Sequence, residues 1–325
     1  MLSIAGWRYF GKEEDATGSA LAMLLIACGV EEPSHVHCLT GRPALIRAPL
    51  QPTRDWLTSV VPPVEGILRG LRLYGFKPQC QVLSGTIEDR CATFLRVLHT
   101  SSGRPVLCGP LDRARLWNRF EGRYSAVPTH FVLVLSVNDA GLVMFHDPEG
   151  VPFAQRPMRQ LFSALQDGGS LVFVEGSALT ASPSAILAAA LRQTAELREE
   201  HAAAPDVSAR GLRGLVPVLK SEVQVGSARM ALHAGLSFRG RSAVGLAALA
   251  ADIGTPPTVY RALTEVAAGS ALALRCLRGD DSIGTSEAIS RIADGEEMLD
   301  SALSGTLGCA ADRATLPHCC LLYTS

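Results

Sequence analysis

Residues 129–150 read THFVLVLSVNDAGLVMFHDPEG. Two short β-rich runs, His130–Val137 and Leu142–Asp147, flank Asn138-Asp139-Ala140-Gly141, which is a turn signal. The stretch therefore predicts a β-hairpin. Centring its turn between Asp139 and Ala140 sets Val132 opposite Asp147. His130, two residues from Val132, then shares a face with Asp147 and sits diagonal to it, within reach of its side chain. A His at the mouth of one strand and an Asp at the end of its partner can act as a base with an orienting carboxylate. Strand ends also carry His and Asp for bland reasons of edge and turn chemistry, so spacing alone leaves both readings open.

Outward from the hairpin, residues 15–29 (DATGSALAMLLIACG) read as a cap and a buried helix closed by Gly29. Val64–Tyr74 and Glu88–His99 have helical periodicity, while Pro105–Cys108 and Ser170–Glu175 read as further strands. Residues 177–184 (SALTASPS) are small, polar and Pro-containing, which marks a linker. Beyond it the pattern is helical over Ala185–His201, Gly211–Ala234, Arg241–Ile253, Val259–Leu277 and Ile283–Leu303, and LPHCCLLYTS at the end carries none. The expectation is α+β: an antiparallel-sheet domain over 1–178, an α-helical domain over 183–305, and a loose tail over 306–325. Residues 235–241 (GLSFRGR) read as a solvated loop, with a phosphate contact for its two arginines as the less favoured option.

Composition narrows the function classes. A chain of 325 residues with 47% hydrophobic and 19% charged residues can bury a sizeable core. A formal net charge of -1, with no basic cluster, gives no footprint for nucleic acid or an anionic membrane. No segment has the roughly 18 uninterrupted apolar residues of a membrane span. The start, MLSIAGWRYFGKEED, lacks the basic and apolar regions of a signal peptide. The cysteines number 9, an odd count without C-x-x-C pairs, which suggests reduced thiols and a cytoplasmic location. Richness in Ala, Arg, Gly and Leu suits a bacterium with a GC-rich genome.

The hairpin motif resembles the histidine–aspartate hairpin of papain-like proteins of the bacteriocin-leader peptidase superfamily. That pattern runs His, apolar strand, turn, strand, Asp-Pro. In that superfamily the nucleophile lies near the N-terminus, as Asp-Cys-Gly before an alanine-rich helix ending in Gly. Here EEDATGSALAMLLIACG is similar, with Asp15, Leu21-Ala22-Met23 and Gly29 in place and Ala16 at the nucleophile position. PVLCGPLD (residues 105–112) extends the resemblance to the butirosin-biosynthesis acyltransferase-like branch, in which a helical region follows the papain-like domain. By motif the resemblance covers residues 5–176, and beyond that only helical character.

The resemblance implies a papain-like cysteine-enzyme domain with a Cys-His-Asp triad. Residue 16 would hold the thiolate and face His130 across a cleft, His130 would be the general base and acid, and Asp147 would orient it. Alanine has no nucleophile. Either the chain keeps the fold without the chemistry, or Ala16 replaces a native cysteine, the reading that the intact surroundings favour. The usual oxyanion Gln is also missing, because Phe10 stands in its place. Backbone N–H groups of Ala16 and Thr17 at the helix start are then the candidate oxyanion donors.

Other residues were weighed against plainer readings. Cys28 suits a structural thiol on a buried turn. His146 points away from Asp147's face and suits surface or packing. His35, His37 and Cys38 form H-x-H-C without a second cluster, so no metal site is expected. Asp112 is a candidate for holding a substrate amine, with turn capping the favoured alternative. Adjacent Cys319 and Cys320 suit neither a simple disulfide nor zinc.

The function expected is acyl or aminoacyl transfer in natural-product biosynthesis, such as antibiotic assembly. The donor would be the phosphopantetheine thioester of an acyl or peptidyl carrier protein, and the acceptor a small-molecule amine. Release by cyclisation is a close variant. No resident cofactor, nucleic acid or membrane enters this reading. The rivals are a cysteine peptidase or amidase, and a non-catalytic binding protein of the same fold.

Overall fold

The computed structural model of the chain describes residues 9, 16–31, 33, 35–47, 58–101, 104–117, 130–148, 150–175, 182–221, 227–279 and 281–311. The elements run α1 (Ala16–Ala27), α2 (Val36–Leu39), a 3-10 turn (Arg42–Ala44), β1 (Ile46–Arg47), β2 (Thr58–Ser59), α3 (Pro63–Leu73), β3 (Lys77–Val82) and α4 (Ile87–Thr100). Next come β4 (Val106–Leu111), α5 (Arg113–Leu116), β5 (His130–Val137), β6 (Leu142–Asp147), β7 (Val151–Pro157), α6 (Met158–Ser163) and β8 (Leu165–Glu175). The remainder is helical: α7 (Pro183–Glu200), α8 (Ser208–Ser221), α9 (Ser227–Asp252), α10 (Pro257–Arg278) and α11 (Ser282–Ala311). The class is α+β, as expected. No helix among the described residues is long and apolar enough to cross a membrane.

The six-stranded sheet has the order β3-β8-β4-β5-β6-β7, with every pairing antiparallel. Its central strands β4 and β5 are buried on both faces, which explains why they read as unbroken apolar runs. One face carries Leu107, Phe131, Leu133, Val172 and Val174 into a core shared with α1, α2, α3 and the C-terminal helices. The other carries Val106, Cys108, Val132, Val134, Val143 and Phe145 into a second core with Phe94 of α4, Leu116 of α5 and Phe162 of α6. Both edge strands carry prolines, Pro78 in β3 and Pro152 and Pro157 in β7, where a missing N–H costs nothing to the ladder.

Helix α1 is built from strong helix formers and is buried from Thr17 to Leu25 on every side, as befits a core helix. Gly29 closes it at φ 93°, with the Val30 N–H returning to the Leu25 carbonyl at 3.0 Å. Helix α3 crosses it closely: a Cβ on Gly70 would collide with the Leu21 side chain.

Two expectations in the helical part need correction. Residues 235–241 are not a loop, because α9 runs unbroken through them and Arg239 is fully buried. Gly240, one of the two glycines that suggested a break, lets helices approach instead: a Cβ there would lie 3.1 Å from the Ser270 side chain. Close packing thus outweighs a helix-propensity cost of about 1 kcal/mol per glycine. The tail also begins later than residue 306, since α11 continues to Ala311. Cys319 and Cys320 lie outside the described residues, as do Phe10 and Asp15.

Candidate active site

The hairpin forms over the expected strands. Leu133 pairs with His146 and Val134 with Phe145, so Val132 falls opposite Asp147 and His130 diagonal to it. Nearer the turn the register shifts, with Ser136 opposite Met144 and Val137 opposite Val143. The extra residue is Leu135, a β-bulge. Gly141 (φ 72°) offsets it in the turn, which it lengthens by one residue beyond the simplest reading, with Asn138 N–H donating to the Leu142 carbonyl at 3.0 Å. The bulge decides which side chains meet. Continued without it, the turn-side register would set Leu133 opposite Asp147 and turn His130 to the other face.

His130 Nε2 lies 3.2 Å from Asp147 Oδ1, with the two side chains 5% and 0% exposed. The atoms meet at ion-pair distance without the alignment of a strong hydrogen bond. Nδ1 is the ring nitrogen turned from the carboxylate. Gly109 of β4 allows the close approach at this corner: a Cβ there would fall 2.7 Å from the His130 carbonyl oxygen.

Asp147 is held from further sides, at its carboxylate and at its backbone carbonyl. Trp117 Nε1–H donates to Asp147 Oδ2 at 2.7 Å. Tyr9 donates its hydroxyl to the Asp147 carbonyl at 2.8 Å and accepts from the Gly150 N–H at 2.6 Å. Neither Trp117 nor Tyr9 emerged from the sequence. For Trp117 the usable signal is Asp112 five residues earlier: its side chain caps α5 by accepting from Ala114 and Arg115 N–H, and the capped turn delivers the indole. Asp112 thus has a structural task, and its Oδ2 also lies 3.4 Å from Arg115 Nε.

Ala16 opens α1 and is half-buried, and α1 packs against β5 and β4. Thr17 is buried, with its hydroxyl accepting from Arg42 at 3.2 Å. Alternation puts α1 on the Phe131/Leu133 face, whereas His130 continues the Val132/Val134 face. Helix α1 and the His130 side chain therefore belong to opposite faces of the sheet, and a group at position 16 would have to reach the imidazole round the first residue of β5.

On the α1 face of the hairpin, His146 is fully buried, so it serves packing and not surface. Its Nδ1 accepts from the Phe153 N–H at 3.1 Å, which puts the proton of the neutral ring on Nε2. Burial lowers its pKa. Phe153 holds φ 53°, uncommon for an aromatic residue, and stacks edgewise on His146 at 4.6 Å while remaining 57% exposed.

Two cysteines of this half of the chain are held as thiols. Burial pushes the Cys28 thiol up to about 12 against the lowering pull of Arg104, and burial alone does the same for Cys108. His35 pairs with Asp252 at 2.7 Å and His37 Nε2 meets Cys38 Sγ at 3.3 Å. Among the described residues no group of three metal-type side chains converges. The site is thus a buried imidazole–carboxylate pair at the end of the sheet, with His130 on a strand against which α1 packs. No family model matches the chain and no curated protein matches it, so its resemblance to papain-like proteins rests on the motifs themselves.

Proposed function

We propose that the chain is a cysteine-type acyltransferase of natural-product biosynthesis, written here with Ala16 at the nucleophile position. The observation that carries the reading is the buried His130–Asp147 pair, 3.2 Å apart at the mouths of neighbouring strands, with α1 packed on the strand that His130 begins. A cysteine at position 16 would have its thiolate favoured by the helix N-terminus and by an imidazolium. It would attack the thioester carbonyl of an acyl group on a carrier protein. The phosphopantetheine thiol would leave with the proton held by His130, and an acyl-enzyme would remain. An amine would then attack that carbonyl, His130 would take the amine proton, and the cysteine would leave as thiolate. Asp147 would hold the ring in place throughout. An amine within the acyl chain would give cyclising release by the same steps.

The experiment is Ala16→Cys incubated with an acylated carrier protein, read by intact mass. A stable adduct that an amine discharges faster than water supports the transferase. Adding His130→Ala should slow acylation by about 10²–10⁴-fold, the value of a positioned general base. Peptide cleavage without thioester labelling would replace the transferase by a peptidase or amidase. The alanine itself favours a second reading, a non-catalytic binding protein. Failure of the restored thiol to react with thioester or peptide would select it.

A further inference from the structure

The geometry points to Trp117 as a positioning residue that fixes the Asp147 carboxylate against His130, and so sets the basicity of the imidazole. Its value for catalysis rests on the acyl-transfer reading, but the linkage itself does not.

Asp147 is fully buried, so each carboxylate oxygen needs a partner within the protein. Oδ1 faces His130 at 3.2 Å and Oδ2 receives the indole N–H at 2.7 Å, which is a charge-assisted hydrogen bond. The indole is itself held on three sides. Asp112 caps the turn of α5 that ends at Trp117. The Arg156 guanidinium of β7 lies over the ring, 4.4 Å from its centroid, and Arg156 Nε donates to the Leu116 carbonyl at 3.2 Å. Phe145 packs against the ring at 6.3 Å. Among the described residues, the titratable or charged groups around Asp147 include, besides His130, Tyr9 at its carbonyl and Arg156, which acts through the indole.

Removing the indole N–H leaves a buried carboxylate oxygen short of a donor, a loss of about 1–3 kcal/mol. The carboxyl recovers part of it by turning away or by taking a proton. Either response reduces the negative charge facing His130, so its protonated form loses support and its pKa falls.

The test uses the protein with Ala16 in place, so it needs no catalysis. Imidazole resonances are titrated by NMR, and His130 is assigned as the signal absent from His130→Gln. Trp117→Phe keeps an aromatic ring without the donor and should lower the His130 pKa by about half a unit or more, as expected when about 1 kcal/mol of coupling is lost. Phe145→Leu disturbs packing at the same ring but no polar contact, and should leave it within about 0.2 units. Arg156→Ala should shift it in the Trp117→Phe direction by less, and it carries the test if Trp117→Phe does not fold. A His130 pKa unchanged or raised in Trp117→Phe, or lowered equally in Phe145→Leu, overturns the proposal. In the Ala16→Cys background, Trp117→Phe should move the pH profile of acylation as well as its rate. If Ala16→Cys takes no acyl group, the acyl-transfer reading fails while the NMR titration still decides the role of Trp117.

Discussion

The chain buries charge in two places and builds them differently. At the end of the sheet one imidazole meets one carboxylate, and that carboxylate is gripped by an indole N–H. Among the C-terminal helices Glu296, fully buried, lies between two buried arginines, Arg198 of α7 and Arg239 of α9, and Arg198 also reaches Asp300 at 2.6 Å and the Ala44 carbonyl at 2.8 Å. Burial pushes the Glu296 carboxyl up, but Arg239 and Arg198 overcome it and hold the group below its usual range. Burial likewise opposes the charge on Arg198, and Glu296 with Asp300 overcomes that too. The helical cluster is made of charges that never change near neutral pH, so it acts as a clamp between α7, α9 and α11. The sheet pair holds an imidazole, whose ordinary pKa lies near neutrality, so of the two clusters it is the one whose charge can change there.

The sharpest break of that contrast is Glu296→Ala. It removes the carboxylate that buried Arg239 and Arg198 share, leaving Asp300 to Arg198, and should cost about 3–5 kcal/mol, read as a lower urea midpoint. The combined Glu296→Leu, Arg198→Met and Arg239→Met variant should be much less damaging, neutral or even stabilising, because the only charge it leaves unpaired in the cluster is the solvent-facing Asp300. A loss below about 1 kcal/mol for Glu296→Ala would mean that water reaches the cluster and that it is no clamp.

Asp147→Asn should behave in the opposite way. The amide oxygen still accepts from Trp117 and the volume is kept, so stability should change by no more than about 1 kcal/mol. The His130 pKa should nevertheless fall, because the countercharge is gone, and NMR titration reads it directly. A stability loss as large as that of Glu296→Ala would make the pair a structural clamp as well.

The sheet pair was legible because the hairpin's alternation and turn residues are strong local signals. The register was found at His130 and Asp147, yet through a turn one residue too short, with the bulge at Leu135 supplying the difference. Nothing in a run of VLVLSV marks which residue bulges. Strands β3 and β7 were missed because KPQCQV and VPFAQRP are polar and proline-bearing, and only their edge positions make them strands. The helical clamp was hidden for a related reason. Gly240 beside Arg239 reads as a loop locally and becomes a close helix crossing only when α10 is in place. Trp117 was invisible because its partner is 30 residues away on another strand.

The smallest expected effect concerns a buried titratable group that has no countercharge among the described residues packed on it. His146 is enclosed by the Tyr9 and Phe153 rings, and the nearest ionisable group in sequence, Asp147, points to the opposite face. Burial lowers its pKa in the folded state, below the roughly 6.5 of an unfolded chain. The unfolded chain therefore binds a proton first as pH falls, and folding loses stability from about pH 6.5 downward until the folded pKa is passed. Above that window the contribution is fully present. Protonation would place hydrogens on both ring nitrogens, remove the acceptor used by the Phe153 N–H, and release the left-handed backbone it helps to hold. His146→Gln supplies a carbonyl acceptor that does not titrate in this range. The comparison to make is the urea midpoint of both proteins at pH 8, 6.5 and 5. His130 and the remaining histidines are common to both, so their titrations cancel in the difference. The unsubstituted protein should lose more stability than His146→Gln between pH 6.5 and 5, and the two should lose equally between pH 8 and 6.5. Parallel curves across the whole range would show that His146 takes its proton as readily in the fold as outside it, and that the Phe153 backbone is held by its ring contact alone.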